Sequence, residues 1–180
     1  MNDRVYNNGI DRLRSPERVA RLEVDRVVDV CLNDGTIKSV LDVGTGSGLF
    51  AEAFHNKNIK VSGVDVNPDM IEAFRKILPD SDAQVSPAEE LPFANLSFDM
   101  IFYGVVFHEV NNYKKVLEEA YRVARKTAVL LEWPYKTEDF GPPLEHRLSE
   151  EFIKNLAKEA GFARVEVITL KSLVLYKLYK

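Results

Sequence analysis

The chain has 180 residues, a formal net charge of −4 and a single cysteine, Cys31. This length predicts one domain with a substantial core, and one cysteine excludes a disulfide framework and argues against a cysteine-based zinc site. No apolar run approaches the length of a membrane span and no secretory signal is visible, so we expect a cytoplasmic protein. The acidic balance argues against nucleic acid as a partner.

The N-terminal part predicts an arm followed by a helix. Residues 1–14 are polar, and we expect an irregular arm or a short helix that folds over a site; a disordered terminus is the alternative. Ser15-Pro16-Glu17 combines the capping hydroxyl, the proline and the acid that are typical of a helix start. Apolar residues at helical spacing predict that this helix continues to about residue 31, with Cys31 in the core.

A glycine-rich turn follows the first predicted strand. The strand covers about residues 38–43, the turn is Gly44–Gly48 (G-T-G-S-G), and an amphipathic helix continues to about residue 55. Glycines at alternate positions let backbone N–H groups approach a ligand at a helix start, where the dipole favours an anionic group. Leu49 replaces the third glycine of the dinucleotide pattern G-x-G-x-x-G, and no P-loop Lys-Ser/Thr pair follows. An ordinary nucleotide-binding turn and a purely structural turn remain alternatives at this point.

Strands and helices alternate through the rest of the chain. Further strands are predicted at residues 60–64, 83–85, 98–103 and 128–133, and helices at about 67–78 and 113–124. A long loop over 134–148, a helix to about 160 and strands at 164–170 and 172–179 complete the chain. The last two strands are too close for a parallel crossover, which predicts an antiparallel hairpin or an edge ribbon. The expected fold is α/β, a mostly parallel sheet with helices on both faces.

Candidate site residues lie at the carboxyl ends of the strands, where open parallel sheets bind their ligands. Asp65 ends the second strand, and its carboxylate can accept hydrogen bonds from both hydroxyls of a ribose; a turn aspartate is the alternative. Asp42 either contacts the ammonium group of a cofactor or braces the glycine turn. His108 follows the fourth strand and is the histidine best placed for acid–base chemistry, unless it only packs on the sheet.

Candidate substrate contacts follow the fifth strand. Trp133 and Tyr135 either wall a substrate pocket or pack at the base of the long loop. His146, within that loop, either faces the site as part of a lid or is exposed.

Two motifs together resemble the class I S-adenosylmethionine-dependent methyltransferases, in particular the UbiE/type 11 class. The first is D-x-G-x-G-x-G at residues 42–48, and the second is A-E-E-L-P-F followed by S-F-D at residues 88–99. The antiparallel ending is similar to the seven-stranded, Rossmann-like sheet of this family, whose last strand is antiparallel. Pro87 stands where these proteins often have an adenine-binding aspartate. The resemblance therefore leaves adenine to the backbone N–H of Ala88, with Ser86 or Glu89 as substitutes.

The resemblance implies one methyltransferase domain over residues 1–180 that uses S-adenosyl-L-methionine and releases S-adenosyl-L-homocysteine. Residues 1–34 would form the N-terminal arm and helix, 35–135 the cofactor-binding core, and 136–180 the substrate-side loop, last helix and hairpin. The implied cofactor-binding residues are Asp42, Gly44, Thr45, Gly46, Gly48, Asp65, Val66, Ala88, Glu89 and Tyr103. The implied catalytic candidates are His108 and Tyr103, and the substrate-side candidates are Tyr6, His108, Trp133, Tyr135 and His146. No metal is implied.

The implied reaction is in-line displacement at the methyl carbon of the sulfonium, with positioning as the main source of acceleration. We expect a small-molecule acceptor and a monomer or homodimer. Two other classes remain open. One is a non-catalytic, methyltransferase-like cofactor-binding or partner subunit, which the departure at Pro87 keeps open. The other is an NAD(P)-dependent oxidoreductase, against which Leu49 and the antiparallel ending argue.

Overall fold

A computed structural model describes residues 9–180 of the chain. Its strands are β1 (Ser39–Val43), β2 (Lys60–Asp65), β3 (Asp82–Val85), β4 (Phe98–Gly104), β5 (Ala124–Glu132), β6 (Arg164–Thr169) and β7 (Val174–Tyr179). They form one seven-stranded sheet in the order β3-β2-β1-β4-β5-β7-β6. The pairs from β3 across to β5 are parallel, and β7 pairs antiparallel with both β5 and β6. The predicted α/β sheet with an antiparallel last strand is confirmed.

The helices cover both faces of this sheet. They are α1 (Ile10–Leu13), α2 (Pro16–Leu22), α3 (Val24–Cys31), α4 (Leu49–His55), α5 (Pro68–Ile77), α6 (Tyr113–Val123) and α7 (Glu150–Glu159). Short 3-10 helices lie at Phe107–Glu109 and Leu144–His146. Helices α3, α4 and α5 pack on one face of the sheet, and α6 and α7 pack on the other. Strands buried on both faces account for the nearly continuous apolar runs of β1 and β4.

Polar side chains cap the starts of α2, α5 and α7, and Asn112 likewise caps α6. The side chains of Ser15, Asn67 and Ser149 accept hydrogen bonds from backbone N–H groups in the first turns of α2, α5 and α7. Proline occupies the first helical position of α2 and α5. These caps place the helix starts where the sequence predicted them, because each satisfies a donor that the helix leaves unpaired.

The prediction of one continuous helix to residue 31 is wrong. Glu23 takes the left-handed conformation (φ 48°, ψ 44°), which ends α2 and separates it from α3. Its carboxylate accepts hydrogen bonds from Arg26 and from the main-chain N–H of Lys171. A contact with a segment almost 150 residues away in the sequence thus accompanies the break. Cys31 lies in the core as predicted.

The fifth strand begins four residues earlier than predicted. Ala124 is already extended (φ −72°, ψ 140°), so β5 follows α6 without a turn. The Lys180 ammonium group donates to the carbonyl oxygens of Tyr121 and Ala124. The last residue of the chain therefore satisfies carbonyl groups that the abrupt helix end leaves without partners.

Within residues 9–180, the structure has no helix with both the length and the apolar character needed to cross a membrane.

Candidate functional site

A cavity of about 740 Å³ opens at the carboxyl ends of β1, β2, β4 and β5. Residues that follow these strands form its floor, and residues of α1 and α2 close it from the N-terminal side. Most of the residues predicted for the site line this cavity: Gly44, Gly46, Asp65, Val66, Ala88, Glu89, His108, Trp133 and His146. The topology therefore brings residues from across the sequence to one edge of the sheet.

The glycine turn is hydrogen-bonded to β2 and packs tightly against Val106. The N–H groups of Gly44 and Thr45 both donate to the carbonyl oxygen of Val64, at 2.8 and 3.0 Å, which ties the turn to β2. Gly44 has φ +66°, and a Cβ atom there would lie 2.5 Å from Cγ2 of Val106. Only glycine fits this position, because both the backbone conformation and the space exclude a side chain.

Asp65 connects the turn to the end of β2. Its Oδ2 accepts the N–H of Gly46 and its Oδ1 accepts the N–H of Asn67, each at 2.9 Å. Burial raises the pKa of this carboxyl above its ordinary value, and the backbone hydrogen bonds oppose that rise. Each carboxylate oxygen has a second lone pair. Asp65 can therefore hold the turn and still accept ligand hydroxyl groups in the cavity.

Asp42 and Thr45 lie behind the turn and do not line the cavity. Asp42 is 2% exposed, and the hydroxyl of Thr45 donates to its Oδ2 at 2.7 Å. Burial raises the pKa of Asp42 to about 7, although the hydrogen bond from Thr45 lowers it. The geometry thus favours the bracing role of Asp42 over a contact with a cofactor ammonium group. Gly48 also faces inward, where a Cβ would lie 3.0 Å from the ring of Phe74.

The segment 86–89 lines the cavity beside the end of β2, where the N–H of Ser86 donates to the carbonyl oxygen of Asp65 at 3.0 Å. The hydroxyl of Ser86 donates to the carbonyl oxygen of Glu90 at 2.7 Å. The carboxylate of Glu89 accepts the N–H groups of Asn111 and Asn112, at 3.1 and 3.3 Å. Both candidate substitutes for the missing aspartate are therefore engaged with the backbone. The N–H of Ala88 bonds to no acceptor within the described part of the chain, which leaves it available to a ligand.

His108 is held by a residue that the sequence analysis missed. It lies on the 3-10 helix after β4, and its Nδ1 is 2.7 Å from Oε2 of Glu132, the last residue of β5. The main-chain N–H of His108 donates to the other oxygen of Glu132 at 3.2 Å. Burial lowers the pKa of His108, but the charge and hydrogen bond of Glu132 outweigh it, so the net shift is upward. An acid that ends an apolar strand is the only sequence signal that marks Glu132.

Tyr103 is a core residue, which corrects its prediction as a cofactor-binding and catalytic residue. Its side chain is fully buried, and its hydroxyl lies 3.4 Å from the carbonyl oxygen of Val116 in α6. Alternate residues of a strand point to opposite faces, so Tyr103 faces α6 while the neighbouring Gly104 reaches the cavity. Burial raises the pKa of the Tyr103 hydroxyl, so its ionisation is disfavoured.

The aromatic and histidine candidates after β5 separate into two groups. Trp133 is buried and lines the cavity together with His146. Tyr135 is 57% exposed and lies outside the lining, so it does not wall the pocket. Tyr6 lies outside the described residues.

Two arginines that do not line the cavity hold segments next to it. Arg14 donates to the carbonyl oxygen of Ser47 and to Glu52, which fastens the end of α1 near the glycine turn. The side chain of Arg147 is 1% exposed and binds three carbonyl oxygens of the loop before it. Sequence patterns do not report such contacts, because an arginine in a polar segment is usually exposed.

The seven-stranded sheet, the glycine turn after β1 and the acid that ends β2 together define a class I methyltransferase. Residues 41–131 match the family described as "Methyltransferase domain". The match covers half of the chain, and the chain belongs to this family.

The chain is similar to proteins and structures of the same class. It is 30% identical over 137 residues to a demethylmenaquinone methyltransferase of Renibacterium salmoninarum, covering 75% of this chain and 55% of that protein. It is 33% identical over 108 residues to the demethylmenaquinone methyltransferase of Thermotoga maritima, covering 59% of this chain and 47% of that protein. The chain thus spans about half the length of the curated relatives it matches. The crystal structure of a SAM-dependent methyltransferase from Aquifex aeolicus superposes with a TM-score of 0.79 at 29% identity, covering 94% of this chain and 96% of that chain.

These findings confirm the resemblance to S-adenosylmethionine-dependent methyltransferases and the cofactor that it implies. The described residues fit that cofactor. The turn at Gly44 and Gly46 has no Cβ atoms to obstruct a ligand, Asp65 has spare acceptor capacity for ribose hydroxyls, and the N–H of Ala88 can meet an adenine ring nitrogen. In residues 9–180, no three His, Cys, Asp or Glu side chains converge to hold a metal ion.

Proposed function

We propose that this chain transfers the methyl group of S-adenosylmethionine to a small-molecule acceptor bound in the same cavity. The observation that supports this most strongly is the continuity of the cavity. It joins Gly46 and Asp65 on one side to His108 and Trp133 on the other. Its volume of about 740 Å³ falls within the range of roughly 300–1,000 Å³ that is typical of small-molecule sites.

Some residues of the proposed site would bind the cofactor, and others would orient the acceptor. The glycine turn would hold the amino-acid end of the cofactor, Asp65 the ribose and Ala88 the adenine. The cofactor supplies an electrophilic methyl carbon attached to a sulfonium. The chain therefore contributes mainly by orienting the acceptor along the line of displacement and by excluding water.

We propose a small aromatic compound as the acceptor class. Two relatives are named as demethylmenaquinone methyltransferases, and the cavity here has an aromatic wall at Trp133. A flat ring can stack on an indole and bury a large apolar area. Trp133 is buried and lines the cavity, and the partly buried ring of Phe140 packs beside it with centroids 5.8 Å apart.

The remaining predictions stand as parts of this proposal. Residues 1–34 stay predicted as the N-terminal arm and helix, 35–135 as the cofactor-binding core, and 136–180 as the substrate-side loop, last helix and hairpin of a single domain. A cytoplasmic location and a monomeric or homodimeric state also stay predictions.

The test compares cofactors first and acceptors second. Isothermal titration calorimetry should show binding of S-adenosylhomocysteine and none of NAD. Methyl transfer from radiolabelled S-adenosylmethionine is then measured on a panel of phenols, naphthols and small amines, with bulk tRNA as the macromolecular comparison. Binding of NAD in place of S-adenosylhomocysteine would overturn the proposal in favour of an oxidoreductase. Cofactor binding without methylation of any acceptor would favour the non-catalytic subunit.

A further inference from the structure

One carboxylate fixes His108 at two points. Oε2 of Glu132 lies 2.7 Å from Nδ1 of the ring, and Oε1 lies 3.2 Å from the main-chain nitrogen of the same residue. The Glu132 side chain is 2% exposed and the His108 side chain 8%. Both the position and the rotation of the imidazole are therefore set before any ligand arrives. Rigid preorganisation of this kind is what a catalytic group requires and a packing residue does not.

The tautomer follows from the chemistry of the partner. An ionised carboxylate only accepts hydrogen bonds, so Nδ1 carries the proton that lies between His108 and Glu132. Nε2 is then the basic nitrogen of the neutral ring. Oε1 of Glu109 lies 3.8 Å from it, which is beyond hydrogen-bond range. His108 lines the cavity, and Nε2 is the ring nitrogen that Glu132 does not hold.

The charges around His108 stabilise the imidazolium that forms when Nε2 accepts a proton. Glu132 on β5 and Glu109 on the same 3-10 helix both stabilise the imidazolium, and Arg147 of the long loop opposes them. The hydroxyl of Tyr113 donates to the main-chain oxygen of His108 at 3.3 Å and holds the backbone there. The surroundings are thus those of a base whose protonated form is stabilised by a buried anion.

From this geometry we propose that His108 is a general base and that Glu132 is the positioning residue that orients it. This inference rests on the proposed methyl transfer and adds the acceptor class. The acceptor atom carries a proton that must leave when it is methylated, as in a hydroxyl group or an acidic ring C–H. The acceptor's electron pair forms the bond to the methyl carbon, the carbon–sulfur bond breaks with its pair on sulfur, and the acceptor's proton passes to Nε2 of His108. The products are a methylated acceptor, a neutral thioether and an imidazolium paired with Glu132.

The experiment first follows the ring itself. Long-range ¹H–¹⁵N spectra of the protein saturated with S-adenosylhomocysteine report the tautomer and titration of each histidine, and His108→Gln assigns the signals. We expect the Nδ1–H tautomer in the wild type and a titration midpoint for His108 above the ordinary histidine value. Glu132→Gln should lower this midpoint, because the amide keeps the shape but removes the charge. Glu118→Gln, on the exposed face of α6, is the matched control and should leave the midpoint unchanged.

The second arm follows the chemistry. The acceptor probes that lose a proton are 1,4-dihydroxynaphthalene and catechol, and those that lose none are N,N-dimethylaniline and dimethyl sulfide. For the first pair we expect Glu132→Gln to lower kcat about 100-fold or more, with KM for S-adenosylmethionine within about twofold. Glu132→Asp should recover part of the rate. The double variant His108→Gln/Glu132→Gln should be no slower than His108→Gln alone, because both residues act through one group.

The outcomes separate this inference from the proposed function. Failure to bind S-adenosylhomocysteine overturns the proposed function. An unchanged His108 titration in Glu132→Gln overturns the positioning role. Binding of S-adenosylhomocysteine without methylation of either protic probe, or an equal loss of rate on protic and aprotic probes, overturns the acceptor class. A kcat/KM that rises with pH through the His108 midpoint, and shifts with it in Glu132→Gln, supports the inference.

Discussion

The main-chain N–H of Gly46 donates to Oδ2 of Asp65 at 2.9 Å and joins the turn after β1 to the end of β2. The other oxygen of Asp65 accepts the N–H of Asn67 at the start of α5. One carboxylate thus sets the relative position of two loops that meet only in the folded chain. The surface that faces the cofactor is therefore shaped before binding, which reduces the ordering cost of binding.

Asp65→Ala should weaken S-adenosylhomocysteine binding by about 10- to 100-fold. The variant loses the ribose acceptor and releases the Gly46 contact, and hydrogen bonds to a charged group contribute roughly 1.5–3 kcal/mol. Asp65→Asn separates the two roles in part, because the amide keeps an acceptor for Gly46 but turns a donor toward the N–H of Asn67; its melting temperature should fall less than that of Asp65→Ala while its affinity also falls. Calorimetric Kd values for both variants test this. The control is Asp69→Ala, an exposed acid in the first turn of α5 that should bind normally. Unchanged affinity in Asp65→Ala would refute the ribose assignment.

Gly44→Ala should cost more stability than Gly35→Ala, although the two glycines have the same backbone conformation. Their φ angles are +66° and +65°, but a Cβ at Gly44 would meet Val106 at 2.5 Å while one at Gly35 has no neighbour within 4 Å. The left-handed conformation alone costs about 1–2 kcal/mol for alanine, and overpacking adds roughly 1–3 kcal/mol. Denaturant unfolding of the two variants measures the difference. Adding Val106→Ala should restore part of the stability that Gly44→Ala loses, because it removes the Cγ atoms of residue 106. The recovery should be incomplete, because Cβ of residue 106 would still lie 2.9 Å from the new Cβ. Equal losses at the two glycines would show that the clash relaxes freely.

The fold could be predicted from the sequence to the extent that its signals are local. The caps at Ser15 and Asn67, the alternation of strands with helices and the short final connection all report themselves within a few residues. The break at Glu23 does not, because it coincides with a hydrogen bond to Lys171 that only the folded chain makes. The early start of β5 could not be predicted for the same reason, because it accompanies a long-range contact in which Lys180 binds the carbonyl groups at the end of α6.

The site could be predicted where the residue type and its position after a strand together indicate a binding role, as for Asp65 and the glycine turn. It could not be predicted where the face of the sheet to which a residue points determines whether that residue lines the cavity. Tyr103 and Gly104 are neighbours in the sequence, but only the second reaches the cavity. Glu132 was missed because its partner His108 is 24 residues away and on another strand end. Pairs of this kind appear only when the sheet brings two strand ends together.

Asp42 should make the free energy of unfolding fall as the pH rises from about 4 to about 7. Burial raises its pKa in the folded chain to about 7 from an ordinary value of 3.8. Between these values the folded state holds a proton that the unfolded state has lost, so raising the pH favours unfolding. Asp42→Asn removes this dependence and should be more stable than wild type at pH 8, on the order of 4 kcal/mol, with little difference at pH 4.

Urea unfolding of both proteins between pH 4 and pH 8 measures that difference, and other titrating groups cancel in the comparison. Thr45→Val is a useful companion, because it removes the hydrogen bond that stabilises the ionised carboxylate. It should steepen the fall in stability with pH. Parallel curves for wild type and Asp42→Asn would contradict the raised pKa.

The long loop after β5 depends on Arg147, and Arg147→Lys should release it. The guanidinium donates to the carbonyl oxygens of Pro134, Phe140 and Pro142 at 3.1, 2.6 and 2.8 Å, and to Glu138 at 3.3 Å. A lysine ammonium cannot reproduce this planar arrangement of donors. Loss of these buried contacts should lower the free energy of local opening by roughly 2–4 kcal/mol. The loop should then be cleaved faster by a protease while the rest of the chain stays folded.

Cofactor binding distinguishes a local release from a general loss of structure. Because Arg147 contacts the loop and not the glycine turn, the Kd of Arg147→Lys for S-adenosylhomocysteine should stay within about twofold of wild type. Methyl transfer to any acceptor should fall at least tenfold, because the pocket wall at Gly141 and Pro142 is lost. Lys136→Ala removes an exposed partner of Glu138 from the same loop and should change neither quantity, since surface ion pairs contribute little. Equal weakening of cofactor binding and turnover in Arg147→Lys would show that the loop supports the whole site and not the acceptor side alone.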